Sequence, residues 1–279
     1  MNYLKSFILC MGILQCVPLH SEDGTLSAET QERIDTSITA INQFLKLYNL
    51  YRFAHSLLHT SSPARPGEIP VDIPALLNKF GYSPDDFQIY ITNGVHNAFS
   101  LYLGKSKFLK QFNRITIGRP FLKLLSPEEL EFVMAHEIGH AHYRTNHCLK
   151  FLLMFIAVDE AINILKKCLN LWSPNIKKNY LSYIVFSYGT TILKAGIKEI
   201  CFKALSRAQE EEVDIIAVVK TGKTSAGIDA FKKMQKAYTP KTTLQKLFAR
   251  SEMFSSHPSF DKRITYLTEF EENMPTQQY

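Results

Sequence analysis

Residues 136–140 read His-Glu-Ile-Gly-His, within a run that opens at Ser126 and Pro127. Two histidines four apart on a helix share one face and can hold one metal ion. Neutral imidazoles suit zinc, and Glu137 then points at a water that the metal makes acidic. The pattern is that of a zinc hydrolase. Such a site needs a third protein ligand and an open position. The segment Ser206-Arg-Ala-Gln-Glu-Glu-Glu-Val-Asp214 offers one. Glu210 and Asp214 lie four apart on a predicted helix, so both can face one site. Glu210 could ligate, and Asp214 could hold the far nitrogen of a ligating histidine. The residues alone leave open an acidic, solvated helix face for this pair. Glu211 and Glu212 are assigned to that solvated face.

Other chemical features carry less. His142 and His147 continue the metal helix, where ligation by either would crowd the site. Gly222-Lys-Thr224 resembles the end of a phosphate loop, but Ala217 stands where the earlier glycine is required. Cys148, Cys168 and Cys201 are an odd set without a Cys-x-x-Cys, so neither a disulfide framework nor a structural zinc site follows.

The elements that must position these residues follow from pattern. Residues 27–59 place Ile34, Ile38, Ile41, Leu45 and Tyr48 at helical spacing. Residues 61–67 are rich in Ser, Pro and Gly and read as a loop. A short helix spans 72–80 and ends before Gly81. Residues 87–92, 97–103 and 114–118 read as strands, and 120–125 as a helical turn. Ser126-Pro-Glu-Glu is a strong helix start: Ser as N-cap, Pro in the first turn, acids beside the positive end of the helix dipole. Residues 149–204 are apolar and helical. They read as buried or lid-like helices, with a hairpin dipping into a membrane as the alternative. Helices over 204–219, 225–238, 241–252 and 260–271 follow.

With 279 residues, 46% of them hydrophobic, the chain can bury one substantial core. The net charge of +6 is scattered, and no nucleic-acid motif accompanies it. Residues 1–5 carry one lysine, residues 6–19 are apolar, and residues 20–24 turn polar, which is the layout of a secretory signal peptide.

The chain resembles the gluzincin-type zinc metallopeptidases that include HtpX, BepA and the CAAX-prenyl-protease-like enzymes. The likeness rests on motifs in the family's order: His136 to His140; Ser206 to Asp214, with Val213 where alanine is usual; and Ser256-His-Pro258 followed by Arg263-Ile264. Asn97-Ala-Phe99 is a fourth match, ahead of the metal helix. The resemblance implies one Zn2+ per chain on His136, His140 and Glu210. It implies Glu137 as general base and Asp214 as support for a ligating histidine. It implies His257 as the distal histidine that approaches the metal or the oxyanion, and Arg263 as a structural neighbour. Asn97, Ala98 and Phe99 then belong to an edge strand that receives substrate by β-augmentation.

The expected fold class is α+β, predominantly helical, with a small sheet ahead of the metal-binding helix. Residues 1–21 are read as signal peptide, 22–66 as N-terminal helix and linker, 67–272 as the zinc metallopeptidase domain and 273–279 as a tail. The expected function is zinc endopeptidase, in quality control of exported envelope or periplasmic proteins. The rival is a zinc-containing, chaperone-like binding module. Protein or peptide substrates are the expected partners, with peripheral membrane contact through 149–205 and no nucleic acid.

Overall fold

The computed structural model describes residues 29–37, 39–40, 61–93, 97–172, 180–237 and 257–273. The expected leader (1–21), most of the 27–59 helix, the 241–252 helix and residues 274–279 of the tail lie outside them. The fold is predominantly helical with one small mixed sheet, as the sequence implies.

The sheet contains β1 (Ser61–Pro63), β2 (Gln88–Thr92), β3 (Ala98–Leu101) and β4 (Arg114–Gly118), in the order β1-β2-β4-β3. Strand β4 pairs parallel with β2 and antiparallel with β3. It is buried at all five positions, as a central strand covered on both faces should be. Strand β3 pairs only with β4 among the described strands, so it is an edge. Strand β1 corrects the loop expected at 61–67: three of those residues pair antiparallel with β2. Pro63 is tolerated because β1 is itself an edge strand.

A side chain secures the far end of β3. Asn113 is fully buried. Its Oδ1 accepts from the backbone N–H of Leu103 at 2.6 Å and of Gly104 at 3.3 Å. Its Nδ2 donates to the carbonyls of Asp86 at 3.0 Å and Gly104 at 2.9 Å. Gly104 has φ +138°, which favours glycine.

Helix α1 covers residues 29–37, and α2 is Ile73–Lys79. Two short helices follow, α3 (Lys107–Lys110) and α4 (Arg119–Leu124). Helix α5 (Pro127–Trp172) carries the histidine motif and α6 (Tyr180–Thr221) the acidic one. Helices α7 (Thr224–Ala237) and α8 (Phe260–Asn273) complete the described chain. Ser126 and Glu129 form a reciprocal capping box: the Ser126 N–H donates to Glu129 Oε2 at 2.8 Å, and the Glu129 N–H donates to Ser126 Oγ at 3.3 Å. Lys233 of α7 adds an ion pair to the same carboxylate at 2.7 Å.

Both long helices correct the segmentation read from sequence. The metal helix runs unbroken through Cys148 to Trp172, and the 204–219 helix is the last part of one that starts at Tyr180. No proline interrupts either, and Gly189 and Gly196 are absorbed within α6. Asp159, a charge within the apolar stretch, pairs with Lys194 at 2.7 Å and with Lys198. Helix α6 ends where Gly222, at φ +69°, turns its N–H to the Val218 carbonyl at 2.7 Å. That cap is the structural role of the glycine in the rejected phosphate-loop match.

The chain divides into two compact units, Met1–Leu57 with Leu153–Glu199, and Leu58–Leu152 with Ile200–Tyr279. In the first, Thr30, Ile34, Ile162 and Tyr183 are buried. Asp35 accepts hydrogen bonds from Tyr183 at 3.0 Å and Ser187 at 2.6 Å. In the second, one apolar core joins Leu76 and Leu77 of α2, Ile91, Ile115 and Ile117 of the sheet, and Leu130, Met134 and Ile138 of α5. Val218 of α6, Phe231 of α7 and Leu267 of α8 belong to the same core. No described helix is long and apolar enough to cross a membrane.

Candidate metal centre

The second unit brings α5 and α6 close enough for their motifs to meet. Gly139, between the two histidines, is the contact point. A Cβ there would stand 2.8 Å from Val213 Cγ1 and 3.0 Å from Ile216 Cγ2, inside the reach of real Cβ contacts. Glycine at this position lets the helices approach. Val213, the departure from the family's usual alanine, is fully buried in that contact.

The approach converges three ligand atoms. Nε2 of His136 and Nε2 of His140 face each other at 3.1 Å. Glu210 Oε1 lies 3.2 Å from His140 Nε2, and Glu210 Oε2 lies 3.4 Å from His136 Nε2. One ligand atom from each residue falls within 4.8 Å of the others, a group that could hold a metal ion. Two apposed imidazole nitrogens can share at most one proton, so a cation between them satisfies both lone pairs. A His-His-carboxylate donor set with one side open to a cavity fits catalytic zinc.

Behind His136 stands a buried network. Asp214 Oδ1 is 2.8 Å from Nδ1 of His136. Arg263 holds the same carboxylate with two donors, Nε to Oδ2 at 2.7 Å and Nη2 to Oδ1 at 2.5 Å. Tyr266 donates its hydroxyl to Oδ2. The Arg263 guanidinium lies over the Phe231 ring at 4.0 Å. Asp214 is thus fully buried and fully hydrogen-bonded, which fixes the His136 ring with Nδ1 donating to Asp214 and Nε2 turned to the metal position.

The electrostatics favour positive charge at the centre. Burial alone would lower the His136 pKa, but the charge and hydrogen bond of Asp214, with Glu210, push it up to about 10. Burial would raise Glu210, yet hydrogen bonds from His136, His140 and His257 hold it far below the usual carboxylate range. Asp214 is likewise lowered against burial, chiefly by the Arg263 charge.

A cavity of about 370 Å3 opens over the centre. It is lined by Glu137, His140, Ala141 and Arg144 of α5, by residues 97–102 and by His257. All three residues of the Asn97-Ala-Phe99 match therefore border the cleft, along edge strand β3. His257 is more than half exposed and places Nδ1 3.0 Å from Glu210 Oε2.

The expected site residues are thus gathered in one place. The rejected candidates sit elsewhere. His147 is buried and pairs with Glu212 at 3.3 Å, and Lys150 joins that carboxylate at 3.0 Å. His142 is exposed, edge-on to Phe80 at 6.3 Å. Cys148 and Cys168 are exposed, and they and Cys201 are free thiols.

Sequence reasoning did not single out Tyr266, Asn113, Gly139 or Arg144. Tyr266 had a signal, because it lies three residues after Arg263 on one helix face. Arg144 had the same signal relative to His140, four residues before it. Asn113 had none, since its partners are backbone groups that only the folded loop presents.

A sequence model of peptidase family M48 matches residues 63–271, a span that encloses every residue of the centre. No curated protein matches the chain. Among solved structures, the chain is similar to S. mikatae Ste24p, at 19% identity and a TM-score of 0.57. The match covers 94% of this chain and 62% of that one, so the chain spans less than two thirds of its neighbour, and the likeness is one of fold.

Proposed function

The chain belongs to peptidase family M48 and is a metallopeptidase, and on that premise we propose that it is a zinc-dependent endopeptidase with Glu137 as its general base. The observation that carries this reading is the convergence of His136, His140 and Glu210 beneath a cavity that also contains Glu137.

Those three residues would hold the zinc, which when bound lowers the pKa of water toward about 7 and polarises a peptide carbonyl. Glu137 takes a proton from the attacking water and delivers it to the leaving amine. Asp214 keeps the His136 lone pair aimed at the metal position. Arg263 and Tyr266 keep Asp214 ionised and fixed. His257 donates a hydrogen bond to the carbonyl oxygen as negative charge develops on it. Strand β3 offers its free edge to an extended peptide, so that backbone hydrogen bonds align the substrate without regard to most side chains.

The protein works outside the cytoplasm, at an envelope membrane, on proteins that have lost their fold. The apolar stretch at residues 6–19 supports export. Exposed Leu152, Leu153, Ile156, Val185 and Ile192 support contact between the 149–205 segment and a lipid surface.

Incubation with casein, with and without a chelator and with metal analysis alongside, tests the reading. One zinc per chain and chelator-sensitive cleavage are expected. Stoichiometric zinc with no cleavage under any condition would favour the rival binding module.

A further inference from the structure

Arg144 follows His140 by one helical turn on α5 and borders the same cavity, half-buried. In this unit Lys223 and Lys79 pair with Glu131 of α5, Lys233 pairs with Glu129 of α5, and Lys150 of α5 pairs with Glu212. Arg144 has no carboxylate partner among the described residues. Its electrostatic neighbour is the hydroxyl of Tyr102, at the end of the cavity-lining stretch that contains β3. Glu137 is the one acid among the cavity's described residues, and proton transfer occupies it. A half-buried guanidinium at a cleft, with no counter-ion among the described residues, is a site for a carboxylate, which it can bind through two parallel N–H donors.

Position narrows the ligand. Four residues of helix rise about 6 Å, and an extended peptide covers about 3.3 Å per residue. For a substrate strand that runs beside α5 with its reacting carbonyl at His140, Arg144 meets a group about two residues away. We propose that Arg144 is a specificity-determining residue that binds a carboxylate of the substrate about two residues from the bond that is cut. The assignment rests on the peptidase reading of the site. The carboxylate belongs either to an Asp or Glu side chain within the substrate or to the α-carboxylate of a chain end, in which case short C-terminal pieces are released.

The test uses the zinc-loaded protein and its Glu137→Gln variant, with short fluorescent peptides in three arms. One arm is capped by an amide and carries Glu, moved residue by residue along the peptide. The second replaces that Glu by Gln. The third lacks acidic side chains but ends in a free carboxylate. Binding is read by anisotropy on Glu137→Gln, and KM and kcat on the active protein. A carboxylate arm should bind about tenfold tighter than its neutral twin, with the effect in KM rather than kcat. Arg144→Gln should level that difference and Arg144→Glu should reverse it in favour of the neutral peptide. Preference for the first arm identifies a side chain, and preference for the third a chain end. Equal binding of acidic and neutral peptides, or an unchanged preference in folded Arg144→Gln, overturns the assignment. If acidic peptides bind selectively but none is cut, the peptidase reading fails while carboxylate binding by Arg144 stands.

Discussion

Asp214 Oδ1 lies 2.8 Å from Nδ1 of His136, which leaves Nε2 of the same ring to face Nε2 of His140 at 3.1 Å. The carboxylate that never reaches the metal position thus decides which nitrogen does. Replacing Asp214 by Asn keeps the shape but removes the charge that orients the ring and neutralises Arg263. Zinc affinity should fall about 10- to 100-fold, measured by competition with a coloured chelator. An unchanged affinity would mean that the His136 orientation is set elsewhere.

The same carboxylate gives the metal-free protein an acid limit. The pKa of Asp214 is held below its ordinary value, because the Arg263 charge outweighs burial. A depressed carboxylate contributes stability that is complete above the unfolded pKa of about 3.9 and is lost as pH falls through the folded value. The difference in Tm between wild type and Asp214→Asn should be constant from pH 7 to about 5 and shrink below about pH 4. A difference that persists undiminished into strong acid would contradict this.

Gly139 sets the distance between the two metal-bearing helices. Gly139→Ala places a methyl within 2.8 Å of Val213, so the helices must shift. Overpacking of this kind costs about 1–3 kcal/mol, and the shift separates Glu210 from the histidines. Both Tm and zinc affinity should drop, and the pair Gly139→Ala with Val213→Ala should recover part of each. Lack of rescue would place the cost outside this contact.

Asn113 holds the end of the substrate-facing strand through four hydrogen bonds to backbone groups. Asn113→Ala leaves those buried groups unpaired, at a cost of about 1–3 kcal/mol. Amide hydrogen exchange should accelerate in residues 98–104 while protection of the 127–140 helix is kept. Uniform acceleration across the unit would show that the residue stabilises the whole core instead.

The centre was legible in the sequence because its parts are local. His136, Glu137 and His140 are set by helical spacing, and so are Glu210 and Asp214, so each helix declares its own face. The pairing of the two faces, and the roles of His257 and Arg263, came from a family resemblance. No periodicity says that α6 returns to α5. The capping box at Ser126 and Glu129 was half visible, as a strong helix start. The unbroken lengths of α5 and α6 were not, because the change from the motif segments to the apolar stretch at 149–204 read as a boundary between helices. Strand β1 was missed because its residues favour a loop and pair only at the sheet's edge.

The general base is the centre of this account, and Glu137→Gln isolates it. The substitution keeps volume and hydrogen bonding but cannot accept the proton of the attacking water. The variant should bind zinc stoichiometrically, melt at the wild-type temperature and lose casein cleavage by at least about a hundredfold, within the range general-base catalysis supplies. Wild-type cleavage by a fully zinc-loaded Glu137→Gln protein would contradict the mechanism outright.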